Sequence, residues 1–379
     1  MRPWAVAILG VLGCLGEPLV STPEGEPGVY PVGGTMLTSL AAVNVVGDAR
    51  RDLVTVARGD LTIRILPGNA AGTFAAPLAL AAGNDARRAT AGDVNGDGIP
   101  DLLVIGHDNV FIMRLGLGTG RFGDGVKYPL RNHGNFILVA DLNGDAFDDV
   151  VAVHDGSGNP VYVTAYLGSA SGALHQVWEL GTVYFTSMGL TAGDFDADGK
   201  TDVAVALGDN RASVLVFRGL GTGEFAAPLV LPTVSSDPRT TDGTTALAVG
   251  DLNGDGRDDL VVACYAFSNR LVVRLSTATG FADPVSIDLP SPVAVALGDV
   301  NGDGRLDAVA SNLEHHSLSL LNGRGDGSFE QPAPIPVGPE PTALVVADFD
   351  GDGSADIAVT DLADHRIRVV LRRETGSLP

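Results

Sequence analysis

The chain has 379 residues, 45% of them hydrophobic, and a formal charge of −22 from 46 acidic and 24 basic side chains. That length and apolar content suffice for a large core, and the acidity argues against a nucleic-acid or anionic-membrane partner. Two cysteines, Cys14 and Cys264, exclude a disulfide framework.

Arg2 places a positive charge ahead of an apolar run from Trp4 to Leu15, and Gly13 and Gly16 supply small residues for cleavage. This is the pattern of an export signal, assigned to residues 1–20. The run is too short to span a bilayer comfortably, and no later stretch reaches about 18 uninterrupted apolar residues, so no transmembrane segment is expected. Val11-Leu12-Gly13-Cys14 loosely resembles a lipoprotein box, which makes a lipid anchor at Cys14 an alternative to loss of Cys14 with the signal. Leu12 is an unusual residue for such a box. The expected location is secreted, periplasmic or cell-surface. Cys264 closes the run Leu260-Val261-Val262-Ala263 and reads as a buried small hydrophobe.

A nine-residue acidic template then recurs down the chain. The first trace is a worn copy, Asn44 to Asp52, in which Val46 replaces an oxygen-bearing side chain. Six complete copies follow, with Asp or Asn at positions 1, 3, 5 and 9. They are Asp93, Asn95, Asp97 and Asp101; Asp141, Asn143, Asp145 and Asp149; and Asp194, Asp196, Asp198 and Asp202. The remaining three are Asp251, Asn253, Asp255 and Asp259; Asp299, Asn301, Asp303 and Asp307; and Asp348, Asp350, Asp352 and Asp356. Position 6 is Gly98, Gly199, Gly256, Gly304 or Gly353, suited to a positive φ, but Ala146 in the Asp141 copy. That copy is expected to be the weakest of the six.

Loop starts are 48, 53, 57, 48 and 49 residues apart, a period expected of propeller blades. Around each loop lie short Val- and Ala-rich runs bounded by Gly, Asp and Asn, which read as strands. From Pro292 the order is Val293 to Leu297, the loop, Leu306 to Ser311, Ser317 to Leu321, a glycine-rich turn at Asn322 to Phe329, and a last run through Pro334 to Val337. Similar turns recur as Gly72-Thr73-Phe74, Gly120-Arg121-Phe122 and Gly223-Glu224-Phe225. The nearby prolines mark a final, edge strand. Counting the worn copy, the expectation is an all-β, seven-bladed propeller of four-stranded blades over residues 27–375. The last unit stops after its third strand near Arg372, and Val29 to Gly33 resembles Pro334 to Gly338, so the N-terminal strand should complete the seventh blade.

Oxygen side chains at alternate positions of a tight loop suit a hard cation. Position 12 is Val104, Ala152, Val205, Val262, Ala310 or Val359, which rules out the bidentate Glu of an EF-hand. Neither Cys nor His recurs in the loops, which rules out zinc, and magnesium favours a more hydrated, octahedral shell. The expected cofactor is Ca2+, at about six sites. The oxygen positions hold 20 of the 46 acidic residues, and six divalent ions would bring the formal charge from −22 to −10.

These repeats resemble the FG-GAP or VCBS-type family, which includes the integrin alpha-subunit head. The resemblance implies a backbone-carbonyl ligand from position 7, here Ile99, Phe147, Lys200, Arg257, Arg305 and Ser354. It also implies a recognition surface on the face opposite the acidic loops. Segments expected there include His107-Asp108-Asn109, His154-Asp155, Asp209-Asn210-Arg211, Ser268-Asn269-Arg270, Glu314-His315-His316 and Asp364-His365-Arg366. Connections between blades add Asn84-Asp85, Arg87-Arg88, Arg131-Asn132-His133 and Ser235 to Gly243. The functional expectation is a non-catalytic binding or adhesion module for an extracellular protein or glycan. The alternative is a propeller-fold enzyme, a lyase or hydrolase acting on polysaccharide, although no nucleophile motif stands out.

Overall fold

A computed structural model describes residues 28–48, 50–83, 85–156, 159–184, 186–208, 213–233, 243–265 and 269–372. The signal segment with Cys14, Asn84, Asp209 to Arg211, Ser268 and residues 235–242 lie outside the described residues. The described residues form seven four-stranded antiparallel sheets, each in simple up-and-down order. The second blade is typical, with strands Ala86–Gly92, Asp101–Gly106, Val110–Arg114 and Val126–Pro129.

The role of each strand follows from its composition. Second strands such as Asp101–Gly106 and Asp202–Leu207 are buried at every position, because neighbouring blades cover both faces of the sheet. Their continuous Val, Leu, Ile and Ala runs match that environment. Fourth strands are mostly exposed and several end in proline, as at Pro129, Pro232 and Pro336, where the missing N–H faces no neighbour. The core lies between blades. Val151, Val153, Val163 and Ala165 of the third blade pack with Val203, Val205, Leu215 and Phe217 of the fourth.

First strands line the central channel, and all seven carry a register shift near their starts. Examples fall between Ala86 and Arg88, between Gly134 and Phe136, and between Ser187 and Gly189. A bulge breaks the alternation of side chains, so consecutive residues can be re-aimed toward one side.

The ring closes as expected. Val29–Pro31 pairs antiparallel with Arg366–Val370, with Tyr30 opposite Ile367, and supplies the outer strand of the seventh blade. Phe74 of the first blade meets Tyr30 and Phe349 edge-on, at 5.4 and 5.5 Å between ring centres, and so fills the seam. Cys264 is buried and forms no disulfide among the described residues. Among the described residues no helix is long and apolar enough to cross a membrane.

Candidate functional site

Each acidic loop joins the first and second strands of its blade, so all lie on one face of the ring. In the Asp93 loop the chain winds around its first carboxylate. The backbone N–H of Asp97 donates to Asp93 Oδ1 at 3.1 Å and that of Gly98 to Asp93 Oδ2 at 2.7 Å. Ile99 N–H donates to Asp97 Oδ1, and the Asn95 amide donates to Asp97 Oδ2. The same windings recur around Asp141, Asp194, Asp251, Asp299 and Asp348. The chain thus folds back on its position 1 carboxylate in every copy, with the position 7 residues Ile99, Phe147, Lys200, Arg257, Arg305 and Ser354 held through their N–H groups by a position 5 carboxylate.

The donor set fits a hard cation. Carboxylate oxygens of Asp194, Asp196 and Asp202 lie within 4.8 Å of one another, as do those of Asp348, Asp350 and Asp356. Asp196 Oδ1 is buried and accepts no hydrogen bond from the described residues. Such an acceptor, crowded by like charges, gains from a nearby cation.

The ninth-position Asp does something the sequence did not reveal. Asp52, Asp101, Asp149, Asp202, Asp259, Asp307 and Asp356 are all buried. Asp101 Oδ2 accepts the N–H of Val94 at 3.1 Å, and its Oδ1 accepts the N–H of Gly116, at the far end of the third strand, at 2.8 Å. Asp52 makes the same clamp with Val45 and Gly68, although its loop lacks the full ligand set. The position therefore holds backbone together whether or not the loop suits an ion. Burial pushes the Asp101, Asp149, Asp259 and Asp356 carboxyls up to about 6, with the backbone N–H donors pulling the other way.

Position 4 was also missed. Gly96, Gly144, Gly254, Gly302 and Gly351 have positive φ there, and Ala197 adopts φ 58° in the Asp194 loop. Ala146 likewise takes φ 68° at position 6, so two loops, not one, carry a strained alanine.

Cationic side chains intrude at two loops. Arg218 Nη1 lies 2.7 Å from Asp202 Oδ2 and 3.3 Å from Asp196 Oδ2, between two candidate ligands. Lys200 pairs with Asp198 at 2.7 Å. Arg372 bridges the Asp299 and Asp348 loops by donating to the Asn301 carbonyl and to Ser354 Oγ.

On the opposite face the channel opens into a cavity of about 650 Å3. Its throat carries the apolar side chains Leu40, Ile137, Leu190, Leu247, Val295 and Leu344 beside Thr90, Thr245 and Thr342. Polar residues of the first four blades crowd one side of its mouth. Arg58 pairs with Asp85 at 2.9 Å, and Arg87 Nη2 lies 3.1 Å from His107 Nδ1. His107 stacks on His133 at 4.9 Å, and Asp155 accepts from the N–H and Oγ of Ser187. Burial and then the neighbouring Arg87 charge push His107 down to about 4, leaving it neutral at pH 7.

The other expected face residues do not join this group. His154 is buried within the third blade against Thr164. Glu314 is held by Tyr265 and Ser291, both at 2.9 Å. His316 turns to the Pro339 carbonyl.

Among solved structures, the chain resembles one in crystals of BBS1N in complex with ARL6DN soaked with mercury, at 14% identity and TM-score 0.63. A lead-soaked counterpart gives 14% and 0.65, each covering 93% of this chain and 99% of that one. A protein from Lactobacillus plantarum gives 17% identity and TM-score 0.57, over 81% of this chain and 86% of its own. At such identities the likeness shows the fold alone. No curated protein sequence matches. The FG-GAP-like repeat profile matches at residues 44–104, 93–152, 141–205, 194–262, 251–310 and 299–359, each match running from one acidic loop into the strand after the next. With those overlapping units spanning most of the ring, the chain belongs to the FG-GAP-like repeat family.

Proposed function

We propose that this is an exported, calcium-stabilised propeller that binds an extracellular protein or glycan on its channel-mouth face without catalysis. The observation that carries the reading is the division of labour between the two faces. One carries six wound, carboxylate-rich loops, and the other leaves Arg, His and Asn side chains around an open cavity. The hard-oxygen donor set supports calcium over softer or smaller ions. With free calcium at ten times each dissociation constant, a site would contribute about 1.4 kcal/mol and six sites about 8 kcal/mol. That is comparable with a domain's whole net stability. Export is supported by the Arg2 to Gly16 pattern.

A glycan array and a panel of extracellular proteins, each probed with and without calcium, test this reading. Binding that needs calcium and is lost on His133→Ala supports it, and binding insensitive to substitutions at the mouth counts against it. One observation favours the enzymatic alternative: the neutral His107 lies beside Arg87 at the cavity, a base next to a charge stabiliser. Release of products from a bound polysaccharide would select that alternative.

A further inference from the structure

The bulge between Ala86 and Arg88 brings Arg87 and Arg88 to the channel together, although a regular strand would send them to opposite faces. Among the described residues no carboxylate pairs with either. Arg87 donates to His107, and its Nε is buried without a partner. Arg88 donates Nε to the Asn135 carbonyl at 3.0 Å and lies 4.0 Å over the Phe136 ring. Among the described residues only Asp85 and Asp155 act on Arg87 as counter-charges and no carboxylate acts on Arg88, so two adjacent, partly buried cations are incompletely neutralised in a chain of charge −22. The nearby carboxylates are already engaged, Asp85 with Arg58 and Asp155 with Ser187.

We propose that the channel mouth binds an organic monocarboxylate, its charged end held by Arg87 and Arg88 and its apolar body seated in the throat. A guanidinium fork matches a carboxylate in plane and spacing. The cavity, about 650 Å3, is the size of a small-molecule site. Leu40, Ile137, Leu190, Leu247, Val295 and Leu344 offer a seat for a hydrocarbon body, beside the hydroxyls of Thr38, Thr90, Thr245 and Thr342. Asp85 and Asp155 at the rim disfavour a dianion such as phosphate. The inference rests on the reading of this face as the recognition surface and adds the ligand's chemistry.

Calorimetric titration of the full, calcium-saturated chain with octanoate, octan-1-ol and glucuronate tests it. Octanoate should bind at least ~tenfold more tightly than octan-1-ol, and Arg88→Gln should remove that preference. Arg324→Gln, in the exposed glycine-rich turn away from the cavity lining, should leave it intact. If Arg88→Gln melts abnormally, Arg87→Gln serves in its place. Equal binding of octanoate and octan-1-ol overturns the proposal, as does a preference that survives both substitutions. Glucuronate binding as tightly as octanoate overturns the apolar-body assignment. If octanoate fails to bind while His133→Ala still abolishes binding of a protein or glycan, the carboxylate inference falls and the recognition face stands. If no mouth substitution disturbs any ligand, both fall.

Discussion

The Asp148 carboxylate accepts the backbone N–H of Asp93 at 2.7 Å, while the Asp148 N–H donates to the Asp93 carbonyl at 3.0 Å, latching the loops of two neighbouring blades. Asp258 repeats this toward Asp194, and Thr201 Oγ1 donates to the Asp141 carbonyl. The eighth loop position thus ties one blade to the one before it. Asp148→Ala leaves a partly buried N–H without its acceptor and should cost about 1–3 kcal/mol. Urea unfolding checks this, and the loss should persist in EDTA because no ligand position is touched.

The ninth-position clamp separates backbone architecture from ion binding. Asp52→Asn places an amide donor against backbone N–H groups and should cost about 1–3 kcal/mol, equally with calcium and with EDTA. Asp101→Asn should cost a similar amount in EDTA and more in calcium. Paired melts of the two variants in both buffers measure the difference.

Arg218 holds a cation's place between Asp196 and Asp202. Four other blades carry Leu115, Leu167, Leu275 and Leu371 at this register, and the remaining two carry Pro67 and Asn322. Arg218→Leu should therefore tighten metal binding at the Asp194 loop. Terbium luminescence titration should show one site gaining affinity, whereas an unchanged isotherm would mean that the guanidinium does not compete.

Ala146 and Ala197 sit in left-handed conformations that glycine occupies in sibling loops. Ala146→Gly and Ala197→Gly should each stabilise the protein by about 1 kcal/mol, read from thermal melts. Two destabilised variants would show that the loops relax to another conformation.

Burial pushes the His154 imidazole down to about 4, with Glu179 opposing that shift and Arg131 adding to it. A histidine depressed in the folded state must take up a proton on unfolding. Its contribution is full above the unfolded value of about 6.5 and is lost as pH falls toward 4. The stability difference between wild type and His154→Phe should stay constant above pH 7 and shift against wild type between pH 6.5 and 4. A parallel pair of pH curves would contradict this.

The blade count, strand order and closure by Val29–Pro31 were legible because each rests on local, repeated residues. The six complete acidic loops and their worn copy, the Gly-Xaa-Phe turns and the edge prolines all recur at similar offsets. Features that depend on distant pairing were not legible. Asp52 looked like the remnant of a failed ligand set, since its partner Gly68 lies beyond two strands. Arg218 reaches the Asp194 loop only because the third strand returns beside it. Arg87 and Arg88 read as part of a connection between blades, whereas they lie within the strand Ala86–Gly92 beside its bulge. His107 lies 14 residues past Asp93 but His154 only 13 past Asp141, so His154 stays inside its strand and buried while His107 follows its strand to the mouth.

The most direct measurement is the melting temperature of the full chain in millimolar calcium against excess EDTA. If six loops hold ions that pull their carboxylates together, the melt should fall by more than about 10 °C on chelation and return when calcium is restored. A melt that does not move would mean that the acidic loops are held by backbone hydrogen bonds alone.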